Sequence, residues 1–201
     1  MRVGFIVDGE AEYRALPGVY ERLGVTATLL APLKSDIQPL APLRQIIGAV
    51  RIPLRIMRAR GADLVIVLID RETRDECAGA IASSIESALV QSCPLRISVV
   101  IKNRRFENWL LADPDALQQL KGRFKLESGH RSQIEPDKAD HVDGLALLKR
   151  IVRQHDYSKV KDAVQILSRA DPARMARNSR SFRRLMRVLG HGKYLSQSRL
   201  P

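Results

Sequence analysis

Four short apolar runs mark the first half of the chain, at 3–7, 25–30, 64–69 and 97–101, and each stops at a polar or turn residue. Runs that are apolar throughout, rather than alternating, predict strands covered on both faces. Between them, apolar positions recur at helical spacing over 10–23, 43–60 and 74–91. Strands alternating with helices predict parallel βαβ units. The expected fold is therefore α/β: a mostly parallel, doubly wound sheet of about four strands with helices on both faces. Beyond Ile101 the pattern turns helical, over 104–112, 114–121, 142–153, 159–168 and 181–189. Asp113 before Pro114 reads as an N-cap followed by a first-turn proline. The polar stretch 127–140, which contains Pro136, reads as a loop. No repeat or interdomain linker is visible, so the division expected is an α/β core at 1–121 and a basic helical region at 122–201 packed on it.

Composition changes this picture in one respect. The 45% apolar and 28% charged residues are ordinary for a globular protein. No apolar run reaches the roughly 18 residues of a membrane span. The N-terminus lacks a signal-peptide pattern, and Cys77 and Cys93 form no metal-type pair. A cytoplasmic, reduced setting is the expectation. The net charge of +12, however, is uneven: residues 140–201 hold 14 Lys/Arg against 5 Asp/Glu. That excess favours a polyanionic partner, nucleic acid ahead of anionic lipid.

The acids at the strand ends bring in chemistry. The first strand runs into Asp8-Gly9-Glu10-Ala11-Glu12 and the third into Asp70-Arg71-Glu72. A carboxylate ending an apolar strand sits at the rim of the sheet, where doubly wound folds place their sites. Adjacent strands lie about 4.8 Å apart, so two such acids can share a hard cation such as Mg²⁺. Taken singly, each acid also fits a helix N-cap or a first-turn residue. Lys102 ends the fourth strand at the same rim, where it would meet a phosphate or simply face water. Glu107 follows one turn later, as a further ligand or as a partner of Arg104 or Arg105. Trp109 lies on an apolar helix face and reads as core. Arg44, Arg51, Arg55 and Arg58 share one helical face, and Arg180, Arg184 and Arg187 another, flanked by Arg183. Such stripes suit phosphate oxygens. The histidines have no metal spacing, and no phosphate-binding Walker loop occurs.

Val7-Asp8-Gly9-Glu10-Ala11-Glu12 resembles the strand-turn of TOPRIM domains in OLD-type nucleases, and Asp70-Arg71-Glu72 resembles their Asp-x-Asp element. Phe106-Glu107-Asn108-Trp109-Leu110-Leu111-Ala112-Asp113 is similar to a hallmark of an uncharacterised bacterial TOPRIM-like family. Tyr157-Ser158-Lys159 and Ser181-Phe182-Arg183-Arg184 resemble segments of the same family. The resemblance implies a metal-dependent nuclease, with a role in defence against mobile elements. It implies Asp8, Asp70 and Glu72 as ligands of Mg²⁺ or Mn²⁺, and Glu12 as an additional ligand. It also implies a separate ATPase as partner. Asp8 and Glu72 depart from the family pattern by one methylene each, in opposite directions. That leaves open a nucleic-acid- or protein-binding module with a degenerate acidic site. A receiver-like switch would also use strand-end acids and a lysine, but the basic C-terminal region and the Trp109 block speak against it.

Overall fold

The computed structural model describes residues 1–91 and 93–195. Its sheet contains β1 (Arg2–Val7), β2 (Thr28–Leu29), β3 (Leu33–Lys34), β4 (Leu64–Asp70) and β5 (Arg96–Lys102). All pairings are parallel and the order is β2-β1-β4-β5, with β3 pairing β1 further along. The α/β expectation is met. The continuous strand expected at 25–30 is instead two residues long, and a second short strand follows it. Pro32 lies between them and has no N–H for the ladder, so the edge strand is interrupted there.

The helices are α1 (Glu10–Ala15), α2 (Leu43–Ala59), α3 (Ala78–Val90), α4 (Phe106–Leu111), α5 (Pro114–Gln119), α6 (Ser128–Ser132), α7 (Gly144–Ile151), α8 (Lys159–Leu167), α9 (Pro172–Asn178) and α10 (Arg180–Val188). The helix expected over 10–23 becomes a 3₁₀ helix at Leu16–Arg22, because Pro17 cannot donate the next α-helical hydrogen bond. Pro53 is tolerated inside α2. The carbonyl it leaves without an in-helix donor, that of Ala49, accepts the Ser35 hydroxyl at 2.7 Å. Helix α3 begins four residues later than expected. The Asp75 and Glu76 carbonyls, which would open that helix, accept instead from the Arg71 guanidinium. Helices α6 and α9 were not anticipated, although Asp171-Pro172 repeats the start signal seen at Asp113-Pro114.

Alternation along the strands divides the core. Val3, Phe5, Val7, Leu64, Ile66 and Leu68 face one side, packed with Leu16 and Val19 and with C-terminal residues including Trp109, Leu148, Ile166, Phe182 and Leu185. Ile6, Val65, Val67, Ile69, Val99 and Ile101 face the other, under Ile46, Val50, Leu54 and Met57 of α2 and Ile81, Ile85 and Leu89 of α3. The chain leaves β1 toward α1 on the first side and leaves β4 toward α3 on the second. Neighbouring connections that part to opposite faces open a crevice at the carboxyl ends of the strands. Here that crevice lies between β1 and β4. Among the described residues, no helix is long and apolar enough to cross a membrane.

Candidate functional site

Asp8 and Asp70 stand on either side of this crevice. The backbone N–H of Asp70 donates to Asp8 Oδ2 at 3.2 Å, which locks the two strand ends together. Gly9 then caps α1 in an extended conformation. Its N–H donates to Glu12 Oε2 at 2.9 Å, so the Glu12 side chain folds back over the crevice. A Cβ on Gly9 would lie 2.9 Å from that oxygen. A side chain on Gly9 would therefore push the Glu12 carboxylate from its present position. Asp8, Glu12 and Asp70 each offer an oxygen within 4.8 Å of the others, a spacing that suits one hard cation.

Lys102, the last residue of β5, projects into the same place and is fully buried. Its Nζ donates to Asp8 Oδ1 at 2.9 Å and to Glu12 Oε1, and lies 3.0 Å from Asp70 Oδ1. The last contact lacks hydrogen-bonding direction, which leaves Asp70 Oδ1 buried without a hydrogen bond. Burial pushes the Asp70 carboxyl well above its ordinary value, helped by the charges of Asp8, Glu107 and Glu72 and opposed by Arg105. Burial also lowers the Lys102 ammonium from its usual value, against the pull of Asp8 and Glu107. Carboxylates thus exceed cations here: Asp8, Glu12, Asp70 and buried Glu107 face one enclosed ammonium, and Lys159 comes only to 4.0 Å from Glu107.

The structure groups Asp8 and Asp70 with Glu12 rather than with Glu72. Glu72 adopts a left-handed conformation, φ 53°, and its carboxylate pairs with Arg105 at 2.7 Å. A parallel pairing register that continues past the strand ends explains this. Arg71 N–H donates to the Lys102 carbonyl and Glu72 N–H to the Arg104 carbonyl, and Arg104 is itself left-handed at φ 67°. The signal that could have singled out Glu12 is Gly9 three residues before it, the spacing of a capping-box glutamate.

The nucleic-acid candidates do not form one surface. Arg51 and Arg55 are exposed on the outer face of α2. Arg180, Arg183, Arg184 and Arg187 lie on α10, which packs on the opposite face of the sheet. Arg183 is occupied structurally: it donates to the Ala176 and Arg177 carbonyls at the end of α9 and pairs with Asp137. Beside the carboxylate trio, the loops after β4 and β5 and the start of α7 enclose a cleft of about 420 Å³, bordered by Arg71, Arg74, Arg104, Arg105 and His141.

The sequence hallmarks at 106–113 and 181–184 meet each other. Trp109 Nε1 donates to Ser181 Oγ at 2.7 Å, and the Trp109 and Phe182 rings meet edge-on at 5.2 Å. Asp113 accepts from the Asp171 N–H and pairs with Arg174. Buried Asp140 accepts from the Ser179 hydroxyl and from both the backbone N–H and the hydroxyl of Ser181. These residues join the two helical segments; Glu107 is the member of the block that faces the carboxylates. The sequence profile of the family described as Domain of unknown function (DUF4276) matches residues 10–190. The chain belongs to that family. Neither the curated proteins nor the solved structures include a match. The DUF4276 match begins two residues after Asp8 and spans Glu12, Asp70, Lys102 and the helical segments that the hallmark residues join.

Proposed function

We propose that this DUF4276 protein is a metal-dependent phosphodiester hydrolase acting on nucleic acid, with a TOPRIM-like acidic site. The observation that carries this reading is the trio at the β1/β4 crevice, with Glu12 buried, Asp8 and Asp70 half-buried, and three carboxyl groups gathered around the one Lys102 ammonium. Close carboxylates in a low-dielectric site repel by a few kcal/mol unless a cation is shared. The donor set is all oxygen, which suits Mg²⁺ or Mn²⁺. Bound there, such an ion would polarise a phosphoryl oxygen and lower the pKa of a coordinated water. Asp8, Glu12 and Asp70 would hold it. Lys102 keeps the three acids in register and sets a fixed positive charge beside the position of the phosphoryl oxygens, where negative charge develops. Glu107, next to this group, is placed to orient a water or a further cation. Glu72, through Arg105, fixes the loop that forms the cleft wall. The TOPRIM resemblance at Asp8–Glu12 and Asp70–Glu72 is part of the same reading, as is a role against mobile elements.

One observation favours a second reading. The Lys102 ammonium already lies among the three carboxylates, as it would in a binding module whose acidic site has lost its metal. Thermal unfolding with EDTA, Mg²⁺ or Mn²⁺ separates the two. Millimolar metal should raise the Tm of the wild type and leave Asp70→Asn unmoved. DNA and RNA, single- and double-stranded, should be cut by the first protein and not by the second. A melting curve indifferent to both metals, with nucleic acid bound but uncut, would favour the binding module.

A further inference from the structure

We propose that the arginine-bordered cleft beside the carboxylate trio is a phosphate subsite for a polynucleotide, holding a phosphodiester that neighbours the one placed over the trio. The inference deepens the hydrolase reading and rests on it for the position of the scissile phosphate. It begins from how the cleft arginines are held. The Arg71 guanidinium donates to the Asp75 and Glu76 carbonyls and to Asn103 Oδ1. Arg74 donates to the Pro39 and Ala41 carbonyls, and its nearest carboxylate oxygen, on exposed Glu76, is 4.0 Å away. Both side chains are therefore fixed by uncharged acceptors, and their positive charge is left largely uncompensated. Arg104 is exposed and makes no side-chain hydrogen bond or ion pair with another described residue.

The arginines that line the cleft, Arg71, Arg74, Arg104 and Arg105, outnumber its acids, Glu72, Asp140 and Asp143. Glu72 pairs with Arg105, Asp143 caps α7 through the Ala146 N–H, and Asp140 accepts from Ser179 and Ser181. His141 adds an exposed imidazole to the rim. A ligand entering this space meets the Arg71 and Arg74 guanidiniums already oriented, while Asp140 is buried and Asp143 is turned to the α7 N-terminus. That is the chemistry of a phosphate contact, with the ordering cost of the side chains met by the fold. Arg104 is also held at positive φ, and its carbonyl accepts the N–H of Glu72, a second left-handed residue. Paired unfavourable conformations of this kind are retained where a loop must present a side chain in one direction. Asn103 and Arg104 follow Lys102 directly, and Arg71 and Glu72 follow Asp70, so the cleft is lined by the residues that continue the strands bearing Asp70 and Lys102. A substrate with two successive phosphates can occupy both places, whereas a lone phosphate ester fills one.

Binding of a fluorescein-labelled single-stranded oligodeoxynucleotide, followed by anisotropy in EDTA over a range of salt, tests the subsite without metal or cleavage. Arg104→Asn is the informative variant, because asparagine tolerates positive φ better than most residues and an unchanged Tm will show that the fold persists. Loss of one phosphate contact should flatten the plot of log K against log salt by about 0.7. The double variant Arg51→Gln/Arg55→Gln, on the far face of α2, should leave the slope as it is. A slope unchanged in Arg104→Asn, a slope altered only by the α2 variant, or no binding by the wild type would each overturn the proposal. Cleavage with Mn²⁺ is scored separately, so a wild type that binds through the cleft but cuts nothing overturns the hydrolase reading alone.

Discussion

Lys102 is the residue on which the site balances. A lysine buried this completely is stable only because Asp8, Glu12 and Asp70 surround its ammonium. Lys102→Met removes the one enclosed cation and leaves three acids facing each other. It should cost about 3–5 kcal/mol in EDTA near neutral pH, measured by urea unfolding, and millimolar Mn²⁺ should return part of that loss. Asp70 gives the converse prediction. Its carboxyl is raised, first by burial and then by the Asp8, Glu107 and Glu72 charges. The folded state therefore holds this proton more tightly than the unfolded state does. The stability tied to it is present below the ordinary carboxylate range and is lost as pH rises through the raised value. Asp70→Asn, which never ionises at this position, should be more stable than the metal-free wild type near neutrality. The gap should shrink as pH falls. A less stable Asp70→Asn in EDTA at neutral pH would show that Lys102 compensates Asp70 fully.

Among the elements, α2 and the junction of α4 with α10 show how local rules are overridden. Pro53 should break or kink a helix, yet α2 runs from Leu43 to Ala59 because Ser35, from the loop after β3, satisfies the carbonyl of Ala49. Ser35→Ala is expected to lower stability by about 1–2 kcal/mol, read from denaturant midpoints, with no effect on metal binding. Helix α4 is buried along its whole length, including Glu107 and Asn108. Its pattern therefore reads as core, and the polar members are explained by partners far away in sequence. Asn108 donates to the Ala139 and Val142 carbonyls, and Trp109 to Ser181. The most recognisable sequence block is for the most part a packing code, which is why its conspicuous tryptophan is no guide to chemistry.

For the whole molecule, the decisive feature is that the C-terminal helices cover one face of the sheet. Phe182, Leu185, Met186 and Ile166 share a core with Val3, Phe5, Leu64 and Ile66. Each of those side chains contributes about 1.5–3 kcal/mol through burial, so leaving the face bare would exceed the net stability of a typical domain. A chain cut after Lys121 should accordingly bind a hydrophobic dye and lose cooperative unfolding, as measured by calorimetry. Retention of a sharp transition in that fragment would show that residues 1–121 fold without the cover. The basic excess after residue 140 is likewise not one electrostatic stripe. Arg174 pairs with Asp113 and Arg183 serves α9, whereas the uncompensated guanidinium charge near the trio comes from Arg71, Arg74 and Arg104, all before residue 140.

Sequence alone determined the parallel α/β arrangement, because strands covered on both faces must be apolar without alternation. It also placed Asp8, Asp70 and Lys102 at one rim, because each ends an apolar run. The family resemblance set Glu72 ahead of Glu12 as a ligand, whereas the structure brings Glu12 to Asp8 and Asp70. Glu12 and Glu72 both lie a few residues past a strand end, and which carboxylate turns inward depends on the backbone N–H at position 9 holding one and on Arg105 drawing the other away. Sequence alone could not place a lysine from β5 among the acids of β1 and β4, or gather the cleft arginines. Those outcomes depend on strand order and on loops zipped together beyond the ladder, contacts between residues 32 to 94 positions apart that no local pattern encodes.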